Sequence, residues 1–318
     1  MELQPRLLRT ADTLRSGLDD RALRRRAERG ELQRLAPGTY LDAGLWRSLA
    51  ARERYIARIQ AIVARLSGPV VISHWSAAAL WGFPVPDEWP VRVHVIDRRR
   101  SGSQLTPTLH RRAGEILPTD VASWEGLALT SPSRTAADIA LSSPFSHAVL
   151  VLDHGLHTGG FARDHVAEQL ARRPGAQRRK SAAAALAFAD SRAEFAGESF
   201  SRVGMAERGI LSPTLQEPFR DQGGLVGCTD FWWESVGVAG EFDGDWKYSD
   251  ERWLRGRTAA EAIRDEKRRQ ARLAVLPRVN QIVRWDYPVA RNPIELARRL
   301  LAAGVPRSDA FARPPRSP

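Results

Sequence analysis

The run VGCTDFWWESVGVAGEFDGDWKY, residues 226–248, constrains this chain more than any other stretch. Val226 to Trp233 is apolar and aromatic enough for a strand, Ser235-Val236-Gly237 reads as a turn, and Val238 to Phe242 returns as a second strand. Side chains alternate along a strand, so Glu241 and Asp243 share one face while Phe242 takes the other. Asp230 stands eleven positions before Glu241, and a hairpin of that length brings the two side by side. Carboxylates converging among aromatic residues repel one another unless a cation neutralises them, and an all-oxygen set suits Mg²⁺ or Mn²⁺. Glu234, Asp245 and Asp250 read instead as solvated acids of the turns, and Trp232, Trp233 and Trp246 as packing residues.

The remaining composition bounds the setting. A length of 318 residues suits more than one domain, and a 43% hydrophobic content supplies sizeable cores. One cysteine, Cys228, excludes an internal disulfide, points to a reducing compartment and has no histidine in sequence reach to act with. The charged N-terminus lacks an apolar signal region, and runs such as Ala148 to Leu152 are too short for a bilayer. A cytoplasmic protein without membrane contact is therefore expected. The net charge of +11 favours a polyanionic partner, DNA above all. His74, His94 and His110 lack metal-ligand spacing and read as structural.

That charge is concentrated early, with fourteen arginines against eight acidic residues over residues 1–66. Leu3, Leu7, Leu8, Ala11 and Leu14 recur at helical spacing, and Ser16-Gly17 ends that element. A second helix starts at Asp19-Asp20, where acids suit the helix dipole, and stops at Gly30. Leu23 and Ala27 face inward, leaving Arg21, Arg24, Arg25 and Arg29 outward. Leu32 to Leu41 then forms a hairpin around Pro37-Gly38, with Arg34 on its first strand. Helix, basic helix and hairpin are the order of a winged helix-turn-helix, with the second helix in a groove and the hairpin arginine on phosphate.

Gly30-x-Leu32-x-Arg34-x-x-x-Gly38-x-Tyr40 resembles the N-terminal winged helix of AbiEi-type antitoxins, and the likeness extends through Ser73 to Gly82 and Leu129 to Asp138. It implies a DNA-binding domain over residues 1–66, a small α/β domain over 67–160, repression of an operon and a cognate toxin partner. Helical residues 161–190, with a break at Pro174-Gly175, connect these to the region bearing the carboxylates.

Residues 191–302 resemble the PD-(D/E)XK nuclease superfamily, in its Vsr-like (very-short-patch-repair-like) branch. On that resemblance Asp230 and Glu241 match the acids of the two motif strands, Gly197 to Arg202 matches a helix whose Glu198 points at metal, and Gln216 matches a glutamine at the sheet's start. The implied chemistry is phosphodiester hydrolysis with Mg²⁺ or Mn²⁺ held by Asp230, Glu241 and Glu198. Asp243 stands where the superfamily carries lysine, so Lys247 is the candidate to orient water. The helix from Glu261 to Leu273 offers Lys267 and Arg268 to the DNA backbone. The expected fold is α+β: a winged helix, a small α/β domain, a restriction-endonuclease-like mixed sheet flanked by helices, and a flexible tail over 303–318. A non-catalytic repressor or antitoxin is the alternative, and Asp243 keeps it open.

Overall fold

The computed structural model describes residues 7–9, 20–244 and 258–308. The predicted Lys247, together with Asp245, Trp246 and Asp250, lies outside the described residues, as do Leu3, Ala11, Leu14 and the tail from residue 309. The described chain is a mixed α/β fold with three open sheets, two of them mixed. It divides into two compact units, Met1–Ile139 and Ala140–Pro318.

The first unit opens with β1 (Leu8–Arg9), α1 (Asp20–Glu28), β2 (Leu32–Ala36) and β3 (Thr39–Asp42). Leu8 and Arg9, expected in a helix, form a strand because they pair with Tyr40 and Thr39 of β3. The resulting sheet has the order β1-β3-β2. Leu23 and Ala27 of α1 pack on Leu32 and Tyr40, as the helical spacing predicts.

Next come α2 (Ala43–Ser48), α3 (Ala51–Val63), β4 (Val71–Ile72), α4 (His74–Trp81), β5 (Val93–Ile96), β6 (Gln104–Leu105), β7 (Leu109–Arg112), β8 (Val121–Trp124), β9 (Leu127–Thr130) and α5 (Pro132–Ser142). The six strands order as β6-β7-β5-β4-β9-β8, and Ile59, Ile62, Ala77 and Leu80 cover Val93, Val95, Leu109 and Leu129 on one face. Within Ser131 to Asp138, buried Arg134 donates to Asp120 at 3.0 Å and to Asp138 at 2.9 Å. The recognisable sequence of that segment thus carries a structural ion-pair knot.

The second unit begins with α6 (Phe145–His157), α7 (Arg163–Ala171), α8 (Arg179–Phe188) and α9 (Ala196–Glu207). It continues with β10 (Thr214–Asp221), β11 (Gly224–Trp233), β12 (Val238–Phe242), α10 (Ala259–Ala274), β13 (Gln281–Trp285), α11 (Tyr287–Ala290) and α12 (Pro293–Ala302). The sheet orders as β10-β11-β12-β13; β13 runs parallel to β12 because α10 carries the chain across between them. Phe231, Trp233, Phe242 and Trp285 bury against α9 and α12 on one face. Phe219, Trp232 and Ala239 meet Leu273 of α10 on the other. The predicted hairpin is observed, with Phe231 opposite Gly240 and Gly237 in the left-handed region at φ 63°.

Buried Asp153 fixes where α9 lies. It accepts from Ser199 Oγ at 2.8 Å, from Arg202 at 2.7 Å and from the Asp190 amide at 2.8 Å. Burial pushes its carboxyl up, and those three donors oppose the shift. Gly197 completes the seating, since a β-carbon there would stand 2.0 Å from the Phe242 ring. Its neighbour Glu198 is thereby carried against the sheet.

Candidate functional site

The basic face predicted on the second N-terminal helix forms as one surface. Leu23 is 5% exposed on the inner side of α1, while Arg21, Arg24 and Arg25 lie on its exposed side and Arg29 is exposed just past its end. Arg34 is exposed on β2 of the adjoining hairpin. Glu31 accepts from Arg26 at 3.0 Å and from Arg29 at 2.7 Å, and both pairs are solvent-exposed. Such pairs are weak in water and leave Arg29 able to exchange its partner for a phosphate.

The second unit brings some predicted acids together and separates others. Glu198 sits in the first turn of α9, almost fully buried, and its Oε2 accepts from the Glu194 amide at 3.0 Å. Gln216 of β10 reaches both Glu198 at 3.4 Å and Asp230 at 3.5 Å through its side-chain Nε2. Gln216 holds a left-handed backbone at φ 53°, a conformation costly for a residue with a β-carbon. Asp230 also accepts from the Phe242 amide at 2.7 Å, which binds it to β12.

Glu241 is drawn into a different set. It is 3% exposed and accepts from Arg269 of α10 at 2.8 Å and from Arg284 of β13. Arg269 also holds Glu266 at 2.7 Å, and Arg284 lies 3.9 Å from Glu266 and 3.8 Å from Asp243. Burial pushes the Glu266 carboxyl up, but the Arg269 and Gln270 hydrogen bonds and two nearby guanidinium charges carry it down to about 2. Burial likewise opposes charge on Arg269, and its two carboxylate partners outweigh that and raise its pKa.

Both Glu241 oxygens are therefore occupied by guanidinium groups. Among the described residues no three His, Cys, Asp or Glu side chains are grouped to hold a metal ion. A divalent cation does not suit Glu241, whose oxygens already accept from Arg269 and Arg284. Asp243 is exposed, and its amide donates to Trp285 O at 2.8 Å. Lys267 and Arg268 are exposed on α10.

Sequence reasoning missed Arg284 and the role of Arg269. Arg269 is legible in hindsight, three positions after Glu266 on one helix face. Arg284 is not, because it faces Glu241 only through the parallel register of β12 and β13.

Residues 2–41 match the family described as transcriptional regulator, AbiEi antitoxin. Two proteins of Mycobacterium tuberculosis, the uncharacterized proteins MT2308 of strain CDC 1551 / Oshkosh and Rv2248 of strain H37Rv, are each 31% identical over 208 residues, which is 64% of this chain and 73% of theirs. A crystal structure of the RV2827C protein from Mycobacterium tuberculosis aligns over 57% of this chain and 71% of that one, with a TM-score of 0.38 and 17% identity. Among the described residues no helix is long and apolar enough to cross a membrane.

Proposed function

The chain belongs to the family of the mycobacterial proteins Rv2248 and MT2308, and from that premise we propose that it is a DNA-binding transcriptional regulator of the AbiEi antitoxin kind. One observation carries the reading. The segment that matches the antitoxin family is also the one that exposes Arg21, Arg24 and Arg25 on α1, Arg29 just past its end and Arg34 on the hairpin. The helix enters a groove, the hairpin contacts phosphate, and counterion release supplies most of the affinity. A regulator of this kind works in the cytoplasm with a cognate toxin as partner, and residues 1–66 act as its DNA-binding domain.

The test is fluorescence anisotropy on duplex DNA from the chain's own promoter across a salt series. The wild type is expected to lose affinity steeply with salt. Replacing Arg24, Arg25 and Arg29 with Ala is expected to weaken binding and flatten that dependence. An unchanged slope in the triple variant removes α1 from the interface.

A second reading has one observation in its favour, the sharing of Gln216 between Glu198 and Asp230. On that reading residues 191–302 hydrolyse phosphodiesters, with Mg²⁺ or Mn²⁺ held by Glu198 and Asp230. Such an ion supplies Lewis-acid stabilisation of the phosphate and acidifies a bound water. Lys247 would orient that water, and Lys267 and Arg268 would hold the DNA backbone. The arginine pair on Glu241 and the Asp at 243 favour the regulator over this reading. Plasmid nicking with either metal against EDTA separates the two. Cleavage that disappears in Asp230→Asn supports the hydrolase, and intact plasmid under every condition supports the regulator.

A further inference from the structure

Three imidazoles stand in a row in the first unit. The His74 and His94 rings are 5.7 Å apart and those of His94 and His110 are 5.4 Å apart. His94 and His110 are neighbours in the parallel β5–β7 ladder, and Arg112 lies two residues beyond His110, so all three side chains share a sheet face. Val93, Val95 and Leu109 take the opposite face, into the core. His74 opens α4 with a left-handed backbone at φ 52°, and its Nδ1 lies 3.0 Å from Ser73 Oγ. The row passes from buried His74 to exposed Arg92, which donates to Thr106 O at 2.8 Å.

Two polar atoms in this cluster are buried without a hydrogen-bond partner among the described residues, His94 Nδ1 and Arg112 Nε. Arg112 Nε is a donor in every protonation state, so burying it without an acceptor costs a desolvation penalty. The backbone amide of His94 is already engaged, donating to Ser76 Oγ at 2.8 Å. Burial, and then the charges of His74, Arg112, His110 and Arg92, drive the His94 imidazole down to about 2. His110 is lowered by burial and then by Arg112 and Arg92, while Asp138 of α5 supplies the opposing negative charge felt by Arg112. A cation placed here would meet the like charges of Arg92 and Arg112, whereas an anion would relieve them. No group of three metal-ligating side chains forms among the described residues, and the three rings are tilted by 38° and 48° to one another.

We propose that His94, His110, Arg92 and Arg112 form a binding site for a phosphoryl group, with Arg112 Nε and His94 Nδ1 donating to its oxygens. The inference does not rest on the winged-helix reading and uses none of the residues assigned to it. An entering anion reverses the electrostatic sign of the cluster, so binding and protonation of the row are linked. His94 and His110 are the groups that take up protons, facing the charges of Arg92 and Arg112, with Asp138 acting on Arg112.

The experiment is isothermal calorimetry of the full chain with inorganic phosphate at a pH of about 6, in two buffers of different ionisation heat. One saturable site with net proton uptake is expected. Arg112→Gln and, separately, Arg92→Gln are expected to weaken it by at least about tenfold, the loss of one charge-assisted hydrogen bond. Arg92 is exposed, so its variant keeps the test sound if Arg112→Gln does not fold. Heat that never saturates, or unchanged affinity in both variants, overturns the proposal. Two further titrations identify the source of the phosphoryl group. Phosphate that competes with duplex DNA marks the DNA backbone, and a nucleoside monophosphate that binds as tightly as phosphate without such competition marks a free phosphate monoester.

Discussion

Two arginine-rich helices, α1 and α10, look alike in sequence and do opposite things in the fold. On α1, Arg21, Arg24 and Arg25 are exposed, and Arg26 and, just past the helix, Arg29 hold Glu31 in exposed pairs. On α10, Arg269 turns inward to Glu241 and Glu266, and Arg272 closes on Asp221 at 2.6 Å. The difference lies in what each helix packs against. The hairpin under α1 offers Leu32 and Tyr40 to its inner face, so the charge lies on its exposed face. The sheet under α10 offers a buried carboxylate, so the arginine must come in to neutralise it. Basic residues in a sequence therefore count as candidates for nucleic acid only after the acids they meet are known.

The strongest way to break this contrast is Glu241→Gln. It leaves Arg269 and Arg284 partly buried without their shared carboxylate and is expected to destabilise the protein by about 3 kcal/mol in urea unfolding. Wild-type stability in that variant would make the α10 network ornamental. On the other helix, Ala at Arg24, Arg25 and Arg29 together is expected to flatten the slope of log affinity against log salt by about 0.9 for each phosphate no longer neutralised, at an unchanged unfolding midpoint. A matching loss of stability would mean that α1 holds the fold rather than DNA.

Lys267→Ala with Arg268→Ala sharpens the same comparison, because both residues are exposed on α10. A smaller flattening is expected, no more than about 0.9 for each of the two charges. A larger effect than in the α1 triple variant would move the principal DNA-binding surface to the second unit.

The smallest effect is expected in acid. Glu266 has a folded pKa of about 2, below its ordinary value of 4.5, so its contribution is complete above pH 4.5 and fades as pH falls toward 2. Glu241 still holds both arginines, so Glu266→Gln is expected to cost about 1 kcal/mol, and the gap to wild type to close in that window. A gap that stays constant down to pH 2 would show that packing, not charge, is what Glu266 supplies.

The sequence by itself determined the local pieces. Period and turn residues marked α1, the β2–β3 hairpin and the β11–β12 hairpin, because each depends on partners within a few residues. The turn at Gly237 also placed Asp230 and Glu241 on adjacent strands, beside the Phe231–Gly240 pair. Residues 7–9 were misread because Leu7 and Leu8 fit a helical period, while pairing with β3, some thirty residues away in sequence, made Leu8 and Arg9 a strand. What only the tertiary structure decided is the use of each charge. Glu198 and Asp230 meet through Gln216, fourteen or more residues from either, whereas Glu241 is claimed by Arg284 across a parallel pairing that needs the whole α10 crossover. Three histidines with no ligand spacing in sequence are lined up by the β5–β7 ladder and the start of α4. Local periodicity reports which face a side chain takes, and the energy of a buried charge depends on partners that distant chain segments bring to it.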